Sequence, residues 1–229
     1  YYTGISQSVI NALKSKGLIE LYDKEVLKPL FINSLIESDD KIVLTDEQQQ
    51  VFDGLKALYL SAYPQEALLY GVTGSGKTSV FLKMVDEAVA ENKGVIIMVP
   101  EISLTPQTIS IFGKRYGDKI AIFHSAMSQT QRMNEWKRVK NGEALIAIGT
   151  RSAIFAPVKN LSLIIMDEEQ EHSYKSEKSP RFHARDLAKF RAKYNNCLLI
   201  LASATPSIES YAFAKANKYK LFTLSKRYG

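Results

Sequence analysis

The sequence predicts an α/β fold with a doubly wound, mostly parallel sheet, and two observations point to it. Short apolar runs, most of them rich in Val, Ile and Leu, recur at 67–70, 95–99, 120–123, 144–148, 163–166 and 198–202. Because these runs do not alternate with polar residues, they suit strands that are buried on both faces. Helical patterns separate most of the runs, at 77–90, 105–116, 129–140 and 183–194. Strand and helix in alternation are typical of a parallel sheet that is covered by helices.

Composition narrows the classes of protein to which the chain can belong. Its 229 residues are 45% hydrophobic, which is enough for one full core and a smaller segment. Lys and Arg number 30 against 24 Asp and Glu, and the charge of +6 weakly favours a polyanionic partner. The single cysteine, Cys197, excludes a disulfide framework and a multi-cysteine zinc site. A single cysteine together with the phosphate-binding loop described below leads us to expect a cytoplasmic location. No apolar run approaches the ~18 residues that span a membrane, so no membrane partner is expected.

The first 37 residues differ in pattern from the remainder. Apolar residues share one face of a predicted helix over 6–16, which Ser6 or Ser8 would cap and Gly17 would end. A short strand over 18–22 would follow. This pattern fits the end of a winged-helix-like DNA-binding segment with a linker over 1–37, followed by the main domain over 38–229; a small packing subdomain is the alternative. The chain begins with Tyr1 rather than Met, which indicates a piece of a longer product.

A phosphate-binding loop follows the first predicted strand. Its glycines let successive backbone N–H groups point at phosphate oxygens, and the start of the next helix adds its positive dipole end. Lys77 would reach the β and γ phosphates of ATP, and the Thr78 hydroxyl would bind Mg²⁺. A chance glycine-rich turn is the alternative. The motif G-x-x-x-x-G-K-[ST] is matched by Gly71, Val72, Thr73, Gly74, Ser75, Gly76, Lys77 and Thr78.

An acidic pair directly follows the apolar run 163–166. Asp167 is expected to hold Mg²⁺ through water, and Glu168 is expected to polarise the water that attacks the γ phosphate. Two carboxylates at a strand end are unfavourable unless a cation lies nearby, and Mg²⁺ is such a cation. A solvated pair of loop acids is the alternative. The next acids, Glu169 and Glu171, are expected to be exposed.

Three of these segments, taken in order, resemble the motif set of superfamily 2 helicases: 71–78, 167–170 and 203–205. Four more segments resemble the PriA family of replication-restart DNA helicases, namely 99–107, 123–125, 149–153 and 180–186. The resemblance implies a RecA-like P-loop NTPase domain, the first of two such domains, with ATP and Mg²⁺ as cofactors. It also implies DNA-stimulated ATP hydrolysis in replication restart, with DNA and possible primosome proteins as partners.

Several polar positions take roles from this resemblance. Gln48, near the start of a predicted helix, would read the adenine edge with one donor and one acceptor; a solvated helix position is the alternative. Gln170 stands where a His usually follows the Asp-Glu-Glu run, at a catalytic position that links the nucleotide site to Ser203 and Thr205. The hydroxyls of Ser203 and Thr205 would sense the γ phosphate; a plain turn is the alternative. Gln forms hydrogen bonds but takes no proton near neutral pH.

Two regions are expected to contact DNA. At the phosphate-loop edge, hydroxyls, an amide and one Arg suit the phosphates of a DNA strand; ordinary capping by Thr105 and Ser152 is the alternative. The second region, 171–185, mixes aromatic rings with cations, and in the resembling helicases such a loop couples DNA to ATP hydrolysis. A flexible charged loop with anchoring aromatics is the alternative there. The expected contacts are Thr105, Gln107, Thr150, Arg151, Ser152, Tyr174, Lys175, Arg181, Phe182 and Arg185.

A helicase motor holds ATP between two RecA-like domains, and too few residues follow Thr205 for a second one. The zinc-binding cysteines of the resembling family are absent as well. We therefore expect this chain to bind Mg-ATP, to hydrolyse it slowly and to unwind nothing alone. Two other classes of function remain as alternatives: a small-molecule P-loop phosphotransferase, which would ignore DNA, and a non-catalytic ATP-dependent DNA- or protein-binding module. The order of the helicase motifs argues against the first class, and Glu168 argues against the second.

Overall fold

The computed structural model describes residues 6–21, 42–177 and 179–227. Its first helix is α1 (Gln7–Ser15), which lies between Ser6 and Gly17; Gly17 has φ +67° as expected, but the Ser6 side chain makes no capping hydrogen bond. The strand expected at 18–22 is wrong over its described part, because 18–21 form no strand and Leu18 is largely exposed. The remainder of 1–37 lies outside the described residues, so the winged-helix-like segment stays a prediction.

The core of the domain is a sheet of seven strands in the order β3-β4-β2-β5-β6-β1-β7. Every pairing between these strands is parallel. This confirms the predicted α/β class and the six predicted strands. The bounds are β1 Gln65–Gly71, β2 Gly94–Met98, β3 Ile120–Phe123, β4 Ile146–Gly149, β5 Leu161–Met166, β6 Leu198–Ser203 and β7 Lys220–Leu224.

Helices cover both faces of the sheet. Because side chains alternate along a strand, Ile97 packs with the layer of α2, α3 and α4, whereas its neighbour Ile96 packs with α5, α6 and α7. None of the helices in the described ranges is long and apolar enough to cross a bilayer. The bounds are α2 Asp46–Tyr59, α3 Lys77–Ala90, α4 Pro106–Tyr116, α5 Gln129–Asn141, α6 Ala184–Asn195 and α7 Ile208–Lys215.

Side-chain caps explain where most of these helices begin. Thr45 and Gln48 form a reciprocal capping box at α2, and Ser128 forms the same arrangement at α5. Thr105 accepts the Thr108 N–H at 3.2 Å at the start of α4, which confirms the capping role considered for Thr105. Ser207 caps α7 in the same way.

A buried ion pair fixes α5 to the edge strand β3. Arg138 Nη1 donates to both carboxylate oxygens of Glu135, at 3.0 and 2.8 Å, and to the Ile120 carbonyl at 3.1 Å. The Ile122 N–H donates to Glu135 Oε2 at 3.2 Å. Both charged side chains are almost fully buried, so each depends on the other for compensation.

We expect Arg138→Ala to lower the free energy of unfolding by about 3–5 kcal/mol, because Glu135 would stay buried without its charge partner. Urea denaturation of both proteins measures the difference. Lys56→Ala is the matched control, since it removes a partly exposed pair with Glu87 at 2.8 Å and should cost less than about 1 kcal/mol. Equal losses in the two variants would contradict the structural role assigned to the buried pair.

Candidate active site

The predicted nucleotide-site residues lie at the carboxyl ends of three neighbouring strands. β1 runs into the phosphate loop, β5 runs into Asp167, and β6 ends at Ser203. Because β5, β6 and β1 are adjacent and parallel, these ends open on the same edge of the sheet. The sheet order therefore brings together groups that are far apart in the sequence.

The phosphate loop takes a backbone shape that only glycine adopts easily. Gly74 and Gly76 have φ angles of +78° and +80°. At Gly71, a Cβ atom would lie 2.8 Å from Ser75 Oγ, so a larger residue would displace the loop. The loop leads directly into α3, whose first N–H groups have no partner within the helix.

The side chains of this loop divide into buried and exposed groups. Lys77 is nearly buried, and its Nζ donates to the Gly71 carbonyl at 2.8 Å. The Ser75 hydroxyl is buried and has no hydrogen-bond partner among the described residues. The exposed residues are Val72, Thr73, Gly74 and Thr78. A positive charge, a donor that lacks a partner and exposed backbone together suit an incoming phosphate.

Gln48 lies beneath the loop rather than on a solvated surface. Its Nε2 donates to the Ser75 carbonyl at 2.9 Å, and its Oε1 accepts the Thr45 N–H at 3.0 Å. Because the side chain is 2% exposed, the alternative of a solvated helix position is wrong. Contact with adenine stays a prediction. A cavity of about 220 Å³ lies beside this residue, lined by Thr45, Asp46, Glu47, Gln48, Ser75, Lys226 and Arg227.

The acidic pair occupies the adjacent strand end. Burial raises the pKa of Asp167, the charge on Glu168 adds to the rise, Lys77 opposes both effects, and the resulting pKa is about 6. Glu168 has φ +45°, which is unusual for a residue with a Cβ, and its N–H donates to Asp167 Oδ1 at 3.0 Å. Asp167 and Glu168 are both partly exposed, and the surroundings of Asp167 disfavour its negative charge.

Gln170 connects Glu168 to the end of β6. Its Nε2 donates to Glu168 Oε2 at 2.9 Å, and its Oε1 accepts the Ser203 hydroxyl at 2.6 Å. Ser203 Oγ in turn accepts the Thr205 N–H at 2.8 Å. The amide thus fills the linking position on which the sequence analysis placed it, with its donor side toward Glu168 and its acceptor side toward Ser203.

Glu169 is buried, so the expectation that it is exposed is wrong. It is 1% exposed and accepts bonds from the Ser207 N–H at 2.7 Å and the Ser210 hydroxyl at 2.9 Å. Arg185 Nη1 donates to the same carboxylate at 2.8 Å. The local pattern could not show this, because the donors lie 16 to 41 residues further along the chain.

The same contact corrects the DNA role expected for Arg185. Its Nη1 also donates to Ser207 Oγ at 2.7 Å and to Ser210 Oγ at 3.3 Å. The side chain is 15% exposed and directed into the domain, so it is not available to a DNA phosphate. Arg185 belongs to the protein interior beside the acidic pair.

Tyr174, in the same loop, is also buried, so the DNA contact expected for it is wrong. Its ring is 1% exposed, so it cannot stack on a base. Its hydroxyl donates to the Asp167 carbonyl oxygen at 2.7 Å, and burial raises its pKa well above the ordinary value. Tyr174 therefore supports the acidic pair from beneath.

Four other candidate DNA residues remain accessible: Gln107, Lys175 and Arg181 are exposed, and Phe182 is half-buried with its ring edge-to-face against Phe155 at 5.1 Å. Thr105 is also exposed but is engaged in capping. Arg151 is exposed, and its Nη1 donates to the Ser173 and Lys175 carbonyls at 3.3 and 3.0 Å. Thr150 precedes the turn over Arg151–Phe155 and makes no side-chain capping bond there. Its side chain is buried, which disagrees with the DNA contact expected for it, whereas Ser152 is half-buried.

Comparisons with known sequences all match this chain to helicases. Residues 45–213 match the family described as DEAD/DEAH box helicase. The chain is 40% identical to replication restart protein PriA of Bacillus subtilis over 225 residues, which cover 98% of this chain and 28% of that protein. It is 43% identical to PriA of Synechocystis over 207 residues, which cover 90% of this chain and 24% of that one. The chain thus spans less than a third of the length of these relatives.

Solved structures show the same fold. A RecG structure bound to a three-way DNA junction has a TM-score of 0.59 and 23% identity, covering 82% of this chain and 24% of RecG. The helicase MrfA bound to DNA and AMPPNP has a TM-score of 0.56 and 16% identity, covering 98% of this chain and 30% of MrfA. These likenesses confirm the RecA-like helicase domain as the fold.

The raised pKa of Asp167 has a consequence for stability. Because the folded-state pKa of about 6 lies above the ordinary 3.8, ionising this carboxyl costs free energy in the fold at higher pH. We expect Asp167→Asn to raise the free energy of unfolding by about 1–3 kcal/mol at pH 8, and by about half as much at pH 5. Urea denaturation without nucleotide or Mg²⁺ at the two pH values measures this. Asp53→Asn, at an exposed position, is the control, and a gain that does not change with pH would be inconsistent with this assignment.

Proposed function

The chain belongs to the DEAD/DEAH box helicase family, and we propose that it is the ATP-binding lobe of a DNA helicase that acts in replication restart in the cytoplasm. One observation carries the proposal: Glu168, Gln170 and Ser203 form a continuous hydrogen-bonded chain beside the phosphate loop. A module that only binds nucleotide has no need of such a chain. The DNA substrate, the second RecA-like domain and the primosome partners are proposed from the PriA relatives, which are longer.

The phosphate loop fits ATP. Backbone N–H groups at the start of α3 suit the phosphate oxygens, and the buried Ser75 hydroxyl, which has no partner among the described residues, is a further donor. Lys77 Nζ would exchange the Gly71 carbonyl for the β and γ phosphates. Thr78 and Asp167 would hold Mg²⁺, which neutralises charge on those phosphates. Its charge would also relieve the unfavourable ionisation of Asp167.

Hydrolysis is assigned to the carboxylate of Glu168, which follows the proposed metal ligand Asp167. Gln170 holds Glu168 Oε2, so the other oxygen, Oε1, is assigned to the attacking water. The link from Gln170 to Ser203 ties the orientation of Glu168 to the segment that ends at Thr205. Ser203 and Thr205 are therefore proposed as the residues that couple the nucleotide site to the remainder of the motor.

Single-stranded or forked DNA is proposed to lie across the loops that follow β4 and β5. A cavity of about 620 Å³ there is lined by Lys175, Ser176, Glu177, Arg181, Phe182 and His183. Exposed cations around a partly exposed ring suit a strand whose phosphates are held while a base stacks. Arg151 is exposed, and its Nη1 donates to the carbonyl of Lys175, which lines this cavity, so Arg151 is proposed to extend the DNA surface there.

Two substitutions separate binding of ATP from its hydrolysis. We expect Lys77→Ala to weaken Mg-ATP binding at least about 10-fold, because the charge on the phosphates would lose its partner. Glu168→Gln should retain binding and lower turnover by about 10²–10⁴-fold, the range for loss of a general base. Binding of a fluorescent ATP analogue and phosphate release with and without single-stranded DNA measure both. Lys83→Ala, on the same helix as Lys77, is the matched control.

Each alternative class of function gives a distinct outcome in these assays. Turnover that survives in Glu168→Gln would remove Glu168 as the base. Phosphate transfer to a small molecule without any response to DNA would favour a phosphotransferase. Binding of ATP without turnover in the full-length protein would favour the non-catalytic module, whereas absence of turnover in the isolated chain agrees with the need for a second domain.

A pair of aromatic variants tests the DNA surface. We expect Phe182→Ala to weaken binding of an oligo(dT) strand by about 1–3 kcal/mol, the usual loss for a stacked base. Tyr174→Phe should leave DNA affinity unchanged and lower the free energy of unfolding by about 1 kcal/mol, because it removes a buried hydrogen bond. Fluorescence anisotropy and urea denaturation measure the two effects. A similar loss of DNA affinity in both variants would show that the buried position of Tyr174 does not describe the DNA-bound protein.

A further inference from the structure

Two separate links join the acidic loop to the segment that follows β6. The first is the bond from Ser203 to Gln170, described above. The second runs from Glu169 to the start of α7, where Ser207 and Ser210 donate to its carboxylate. Arg185 closes this second link from α6, because Nη1 contacts Glu169, Ser207 Oγ and Ser210 Oγ together.

The second link depends on its charge balance. The Glu169 side chain is fully buried, so its negative charge requires compensation from within the protein. Arg185 supplies a full positive charge at 2.8 Å, and the first N–H groups of α7 supply a partial one. Arg185 Nε is buried without a hydrogen-bond partner among the described residues, so the guanidinium is held mainly through Nη1. A shift of Arg185 would leave the Glu169 charge poorly compensated.

The position of Arg185 in the chain connects this balance to the proposed DNA surface. Arg185 lies in the first turn of α6, two residues after His183, which pairs with Lys175 across the loop that carries Arg181. The residues of the proposed DNA surface therefore lead along the chain directly into Arg185.

The other end of the link adjoins the proposed base. Glu169 follows Glu168, whose positive φ of +45° is held against a cost of about 1–3 kcal/mol by the surrounding structure. The Glu169 N–H donates to the Ala202 carbonyl at 3.0 Å, which fixes one side of that backbone. The bond to Arg185 fixes the side chain. The contacts that hold Glu169 therefore also restrain the backbone next to Glu168.

We propose that Arg185 is a positioning residue that acts through Glu169 and transmits occupancy of the 175–183 loop by single-stranded DNA to the orientation of Glu168. The proposal rests on the function proposed above and adds a route for its DNA dependence. Arg185 touches neither nucleotide nor DNA in this scheme. Its effect is on the rate of hydrolysis when DNA is bound, not on the affinity for ATP.

The test is a double-mutant comparison in the full-length protein. Arg185→Met alone should destabilise the fold, because it leaves Glu169 buried and unpaired; the double variant Glu169→Gln/Arg185→Met removes both charges and should recover stability. Lys193→Met, which removes an exposed cation from the same helix, is the control. The unfolding free energy, KM for ATP, and kcat with and without oligo(dT) are measured for each.

The expected result separates positioning from packing. In the double variant the KM for ATP stays within about 3-fold of the unsubstituted protein, while the ratio of kcat with DNA to kcat without DNA falls close to 1. A double variant that recovers stability and keeps its full DNA stimulation would overturn the proposal, since the pair would then serve stability alone. If DNA does not change the kcat of the unsubstituted protein although ATP binds, the proposed function itself is contradicted. If DNA stimulates the unsubstituted protein and the double variant equally, only the role of Arg185 is contradicted.

Discussion

The parallel register of β5, β6 and β1 is the constraint on which the site depends. Met166 pairs with Leu201 and Tyr70 pairs with Ser203, so the three strands end at nearly the same level. The Glu169 N–H can then reach the Ala202 carbonyl, and the chain beyond Met166 is directed along the ends of its neighbours. A shift of one residue in β6 would move Ser203 to the opposite face of the sheet and break its bond to Gln170.

Asp167 and Glu169, two residues apart at this edge, lie in opposite electrostatic surroundings. Glu169 is fully buried but compensated by Arg185 and the start of α7. Asp167 lies beside Glu168 with less compensation, and its pKa is raised to about 6. A carboxylate such as Glu169, whose charge is compensated within the protein, holds the loop in place. A carboxylate such as Asp167, whose charge is not fully compensated, is stabilised when a cation binds next to it. The internal donors of the fold therefore contact Glu169, whereas Asp167 is the carboxylate proposed to hold Mg²⁺.

Most of the fold followed from the sequence, whereas the partners of individual side chains did not. Runs buried on both faces identified six strands, and the glycine pattern identified the phosphate loop, because both signals are local. The edge strand β7 was missed because only Leu224 of its five residues is buried, and short α7 was missed as well. Tyr174 and Arg185 have the composition of a DNA-binding loop but face inward, and only the tertiary arrangement decides which members of such a loop are exposed.

The identity of residue 170 determines which part of the site responds to pH. A His at this position would change charge near neutral pH, so its links to Glu168 and Ser203 would depend on protonation. Gln170 makes both links through an amide that does not titrate, with its donor and acceptor fixed toward one partner each. The amide itself therefore keeps one form as pH changes. Asp167, whose pKa is raised to about 6, changes charge near neutral pH and is also the residue proposed to hold the metal.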